Sequence, residues 1–228
     1  VDLISETAAY LANPAHWQGA NGIPARLLEH VELSAASLLI AIGLALPIGL
    51  WIGHTGRYTG VAVNVANLGR ALPSFAVITI VLPVTAALDP IAGFYVYPTL
   101  VAMVILAVPP ILVNAYAGIA AVDRDLVEVA RGMGMRDRQI LFGVEIPSAI
   151  GFIVTGMRSA AVQIIATATL GAIVGFGGLG RFLVDGIAQR DTGKIWTGVL
   201  MVALLAVTAE LLFAGARRAI TGSHVRHP

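Results

Sequence analysis

Three charged side chains stand where charge is expensive. Arg70, Arg158 and Glu210 each interrupt a stretch that is otherwise apolar. A charge inside such a stretch needs an opposite charge, a polar cavity or an interface. These three therefore either line or gate a water-filled path, or serve structurally as ion pairs near segment ends, where long side chains can reach toward water. Asn114, Gln163, Thr167 and Thr169 are uncharged counterparts. They could line the same path or hydrogen-bond between helices.

Catalytic chemistry is harder to find. The five histidines have no metal-ligand spacing, and no H-E-x-x-H pattern or nucleophile triad is present. Without cysteine there is no disulfide and no thiolate metal site. Gly175-Phe-Gly-Gly-Leu-Gly180 satisfies G-x-G-x-x-G. It follows no strand, lies in no βαβ unit and ends an apolar segment, so it does not predict a dinucleotide loop. A phosphate-binding G-x-x-x-x-G-K-[ST] is also missing, and the chain itself is not expected to bind ATP. No catalytic residue, metal site or bound cofactor is expected.

The elements that must position these residues are membrane helices. Of 228 residues 57% are hydrophobic and 12% charged, with a mean hydropathy of +0.86. Soluble domains average about 25% charged residues, so the bilayer is the expected solvent. A net charge of +1 gives no indication of a nucleic-acid partner. Spans of about 20 apolar residues are expected near 33–53, 60–87, 99–119, 147–174 and 195–216, the second interrupted by Arg70 and Pro73. Residues 1–26 form a segment outside the membrane, with no signal-peptide pattern. Residues 27–216 form the transmembrane domain and 217–228 a tail.

Basic residues set the orientation. Arg57, Arg124, Arg131, Arg136, Arg138, Arg217, Arg218 and Arg226 fall on one side. Arg26, Arg181, Arg190 and Lys194 fall on the other. The bias of eight to four predicts an outside N-terminus and a cytoplasmic C-terminus.

One hydrophilic stretch, Glu128 to Pro147, separates two long apolar segments. Asp125 and Glu128 have the D-x-x-E form of a helix start, with Asp125 as the expected cap. Leu126, Val129, Ala130 and Met133 fall on one helical face. Gly134, flanked by Met133 and Met135, is expected to break or hinge the helix. Asp137 could cap a second short helix through Ile140, Leu141 and Val144. Pro147 suits the first turn of the next span, where its missing N–H costs nothing. The whole reads as an elbow able to press into a partner.

Here the chain resembles the permeases of type I ABC importers, whose motif runs E-A-A, three residues, G, nine residues, I-x-L-P. Glu128-Val-Ala130, Gly134 and Val144-Glu-Ile-Pro147 match every spacing, with Val129, Val144 and Ile146 as apolar departures. The resemblance implies an all-α membrane protein with the five-span transmembrane-domain fold of that family. It also implies that Glu128, Ala130, Met133, Gly134, Met135 and Pro147 belong to a coupling helix docking on an ATPase subunit.

Other stretches are similar to the osmoprotectant permeases, over about residues 25–216. They are Leu27–Leu33 leading into Pro47–Leu50, Asn67–Ser74, Pro109–Gly118, and Gly177–Arg181 followed by Asp185-Gly-Ile187. The implied cargo is a small osmoprotectant such as glycine betaine, choline, carnitine or proline. The implied partners are ABC ATPase subunits holding ATP and Mg, an extracytoplasmic substrate-binding protein, a second permease chain, identical or paralogous, and membrane lipid. The implied location is the bacterial inner membrane. Three alternatives stay open: methionine or another amino acid as cargo, since methionine importers share the five-span plan and a Gly-Gly-Leu-Gly element; an ion-coupled secondary transporter; and a membrane scaffold that recruits a cytoplasmic partner.

Overall fold

The computed structural model describes residues 2–224, with the side chains of Arg70 and of 221–224 outside that description. Helices account for nearly all of it, and no strand occurs among the described residues. In chain order they are α1 (Leu3–Ala12), α2 (Ile23–Thr55), α3 (Thr59–Ala71), α4 (Ser74–Leu88), α5 (Ala92–Tyr95) and α6 (Tyr97–Ala120). Then follow α7 (Arg124–Gly132), α8 (Asp137–Ile140), α9 (Ile146–Ala168), α10 (Gly180–Gln189) and α11 (Thr192–His224).

Four stretches are long and apolar enough to cross a bilayer: Ile23–Thr55, Tyr97–Ala120, Asp137–Val174 and Thr192–Ile220. Counting α3 and α4 as one broken span makes five. The break follows from the sequence, because Pro73 cannot donate to the helical ladder and disfavours helix at Leu72. The 33 residues of α2 rise about 50 Å. That exceeds a hydrocarbon core of about 30 Å, so part of the helix must lie outside it.

The chain divides into two compact units. The first comprises 1–39, 72–106 and 161–208. In it Ile23, Leu179 and Phe182 form a core with Tyr10, Leu27 and Leu183 around them. A second core joins Val77 and Ile78 of α4 to Ala102 of α6, with Leu170 and Val174 against it.

The second unit comprises 40–71, 107–160 and 209–228. Its helices meet backbone to backbone. A Cβ on Gly49 would stand 2.6 Å from the Leu112 carbonyl oxygen, and one on Gly53 2.6 Å from Ile119 Cβ. Gly49 and Gly53 are thus a small-xxx-small pair that lets α2 lie directly on α6. Gly156 of α9 approaches Asn114 and Pro110 of α6 in the same way. Ala115, Ile119, Ala149 and Ile153 form the core, with Leu46, Leu50, Leu141 and Ile146 packed around it.

From Val199 to Ile220, α11 buries no residue, and Leu204, Val207, Leu211 and Leu212 are more than half exposed. An apolar helix surface of that kind faces lipid or another chain.

Candidate functional site

The hydrophilic elbow lies wholly in the second unit. Its first helix, α7, starts at Asp123, whose Oδ1 accepts the Asp125 N–H at 3.0 Å. The cap is therefore Asp123 and not Asp125, which sits in the first turn, where its charge suits the positive helix end. The apolar face also divides. Val127 and Ala130 turn inward onto Val122 and Ile140, with Met135 and Val144 beside them. Leu126, Val129 and Met133 point outward, 53%, 60% and 72% exposed. Three apolar side chains one helical turn apart thus form an exposed ridge of the kind that meets a partner or a lipid surface. Glu128 is exposed on the same helix.

Gly134 ends α7 with φ +83°. Its N–H donates to the Arg131 carbonyl at 3.0 Å, and the Met135 N–H to the Ala130 carbonyl at 3.2 Å. These are the two bonds of a Schellman motif with glycine at its left-handed position, and Met135 makes the accompanying apolar contact with the Ala130 cluster. Gly134 is thus a fixed corner and not a free hinge. Across it Arg131 pairs with Asp137 at 3.1 Å. The second helix is capped at Arg136, whose N–H donates to Gln139 Oε1 at 2.8 Å, with Asp137 the first helical residue instead of the cap.

Helix α8 does not stop before the membrane segment. It runs through a π-turn at Leu141–Glu145 straight into α9. Pro147 therefore lies inside a continuous helix and not at its first turn. Proline removes one backbone donor, and the wider turn absorbs the mismatch: the Ile146 N–H reaches back five residues to the Leu141 carbonyl. The same turn buries Glu145, 2% exposed, against His54 from the last turn of α2, with Nδ1 and Oε2 sharing a hydrogen bond at 2.5 Å. Sequence reasoning missed this pair, because 91 residues separate its members. Its one signal was a carboxylate in an apolar setting.

The residues within apolar segments separate into different roles. Arg158 Nη1 meets Glu210 Oε1 at 3.1 Å, so these two charges satisfy each other. The Arg70 side chain lies outside the described residues. Asn114 Nδ2 donates to the Pro110 carbonyl at 2.8 Å and the Thr169 hydroxyl to the Ala166 carbonyl at 2.7 Å, both local bonds. Thr167 is buried and Gln163 half-buried.

In the first unit the glycine-rich loop 175–180 joins a 3-10 turn at Thr169–Val174 to α10. Its glycines let it lie against α2. Glu29 Oε2 accepts the Gly178 N–H at 2.7 Å while pairing with Arg26, and His30 Nδ1 accepts the Leu179 N–H at 3.3 Å. Glu29 and His30 were not singled out by the sequence, where they lie 149 residues from their partners. Beside them is a cavity of about 280 Å³, lined among others by Tyr10, His16, Arg181, Asp185 and Lys194. Arg181 and Lys194 both pair with Asp185 there. Burial, then the Asp191 and Asp185 carboxylates, push the Tyr10 phenol above its ordinary value. No group of three or more metal-ligating side chains occurs among the described residues.

Residues 45–221 match the model of the family described as binding-protein-dependent transport system inner membrane component. The chain belongs to this family. It is an inner-membrane permease component, and in such systems ATP hydrolysis resides in a separate subunit. The carnitine transport permease protein OpuCB of Listeria monocytogenes is 31% identical, over 87% of this chain and 88% of that protein. The choline transport system permease protein OpuBB of Bacillus subtilis is 30% identical, over 85% and 86%. The osmoprotectant import permease protein OsmW of Salmonella typhimurium is 30% identical, over 87% and 91%. A chain from the MetNI methionine ABC transporter in inward facing conformations superposes with a TM-score of 0.76 at 19% identity, over 92% of this chain and 99% of that one. An amino acid ABC transporter gives 0.66 at 20%, over 96% and 97%. The fold is that of a type I ABC importer transmembrane domain.

Proposed function

We propose that this chain forms half of the translocation pathway of an ATP-driven importer for a small osmoprotectant of the glycine betaine, choline, carnitine or proline kind. The observation that carries the cargo is the set of relatives named for carnitine, choline and osmoprotectant transport, each matching more than four fifths of both chains. Methionine or another amino acid is the second reading. It draws on the solved methionine-transporter chains, whose 19% identity speaks for fold and not cargo.

The elbow is the ATPase contact in this reading. Its exposed Leu126, Val129 and Met133 offer an apolar ridge, and methionine adapts well to a receiving groove. The Schellman corner at Gly134 keeps the ridge fixed relative to α8. ATP binding draws two ATPase subunits together, their movement carries the elbows, and the spans pass from inward-open to outward-open. The driving free energy is the ATPases' differential affinity for nucleotide in the two states. A binding protein delivers cargo on the side of the N-terminus. A second permease chain, identical or paralogous, completes the path and covers part of the exposed face of α11.

The test is reconstitution with the ATPase and binding protein in vesicles. Labelled glycine betaine, choline or carnitine should enter only with ATP, and entry should persist when ion gradients are collapsed. Uptake that follows an ion gradient without ATP would overturn the reading. Gly134→Trp forces a large side chain into the left-handed position and should abolish uptake while membrane insertion is retained. Unchanged uptake would remove the elbow from the mechanism.

A further inference from the structure

The elbow joins the membrane part of the chain through an irregular stretch of helix. Pro147 offers no N–H to the Gly143 carbonyl, and the π-turn replaces regular helical bonds from Leu141 to Glu145. A displacement entering through α7 and α8 must cross this stretch to reach α9. A wider turn that lacks one backbone bond holds its register less firmly than regular helix. Something other than the ladder has to hold register here.

A polar link between α2 and this stretch lies among the described residues. Glu145 is almost fully buried, and a buried carboxylate is tolerated only when paired. Its partner is His54 Nδ1 at 2.5 Å. That nitrogen donates in the imidazolium and in the Nδ1-protonated neutral ring alike, so the bond does not depend on which is present. His54 lies in the last turn of α2, where the helix end favours positive charge. One residue earlier, Gly53 sets α2 directly on α6. A movement handed to His54 is thus handed to two spans at once.

We propose that His54 and Glu145 are positioning residues for coupling: their bond pins the root of the elbow to the end of α2, so that movement imposed on the elbow turns α2 and α6 instead of dissipating in the π-turn. Buried ion pairs add little to stability compared with apolar packing, and their best-attested use is to fix register. The surrounding apolar contacts of Leu46, Leu50, Leu141 and Ile146 are non-directional and permit sliding. The inference rests on the elbow being the ATPase contact.

The test uses the assembled transporter in vesicles, with glycine betaine uptake and ATP hydrolysis measured together. His54→Phe and Glu145→Leu keep apolar bulk at the two positions but leave no group that can make the bond. Each should lower uptake per ATP hydrolysed by about fivefold or more, while hydrolysis and assembly with the ATPase persist. Since the chain has no cysteine, the double variant His54→Cys, Glu145→Cys allows a second measurement. It should be uncoupled as made, and a short thiol-to-thiol cross-linker should restore uptake per ATP to near the parent ratio. A ratio unchanged in these two variants, or a cross-linked protein that stays uncoupled, overturns the proposal. Gly134→Trp separates this from failure of the elbow reading. If it leaves ATPase assembly and uptake intact, the elbow reading is wrong; if it blocks them while Glu145→Leu stays coupled, only the pin is wrong.

Discussion

At the scale of single residues, identity matters less than what faces each side chain. Tyr10 shows this. Its ring stacks on His16 with centroids 3.7 Å apart, and Asp191 and Asp185 stand near its hydroxyl. Burial first, and these carboxylates second, disfavour the phenolate, so the folded value lies above the ordinary 10.0. A raised value means that folding favours the protonated ring. The stabilisation is complete below the unfolded value of about 10 and is lost as pH rises through the folded one. Difference absorbance of tyrosinate, parent minus Tyr10→Phe, should show Tyr10 titrating later than free tyrosine. Asp191→Asn, which keeps an oxygen for the Lys194 N–H, should bring the value part of the way down. Titration at or below the ordinary value would contradict the packing of α1. The same dependence on surroundings decided which sites were legible in the sequence. Gly134 was, because a glycine between two helical patterns has few other uses. Asp123 was missed as the cap because Asp125, two residues on, fits the local pattern equally well. Glu145 stood out only as a carboxylate in an apolar setting, and its pairing with His54 left no trace, since nothing in spacing joins residues 91 apart.

At the scale of elements, α7 shows how an apolar run conceals its own face. Leu126, Val127, Val129 and Ala130 are apolar at four of five consecutive positions, so helical periodicity cannot say which pair turns inward. Packing chose Val127 and Ala130, whose small volumes suit the tight cluster with Val122 and Ile140. The two faces should answer differently to charge. Val129→Asp on the exposed ridge should leave insertion and folding unchanged, cost within about 0.5 kcal/mol of stability, and sharply weaken co-purification with the ATPase. Val127→Asp buries an unpaired carboxylate and should unfold the elbow, seen as rapid proteolysis within 123–146. Equal behaviour of the two variants would contradict the assigned faces. The broken span at Arg70 and Pro73 was readable because proline acts locally. The start of the segment at Asp137 was not, because a π-turn can absorb Pro147 and no residue type announces it.

At the scale of the whole molecule, membrane residence is legible in composition, since 12% charged residues leave little to cover a soluble surface, and helical class in the long uncharged runs and the family resemblance. Side assignment depends on weaker terms. Eight basic residues against four predict that the C-terminus is cytoplasmic. A reporter fused after residue 228 that is active only in the cytoplasm should therefore be active, and one active only outside should be silent. The reverse result would invert the topology and remove the elbow from the ATPase side.

The direct contact of α2 on α6 also governs how this protein can diverge. At Gly49 and Gly53 even a methyl group collides with Leu112, Ala115 or Ile119, so no single substitution there is conservative. Leu39, Leu44 and Ile48, on the same helix, are exposed and leave room for other apolar residues. Drift in α2 is therefore confined to one stripe, while the other is inherited jointly with the surface of α6. Two lineages that altered that surface differently could not exchange α2 between them, although most of its residues would look interchangeable.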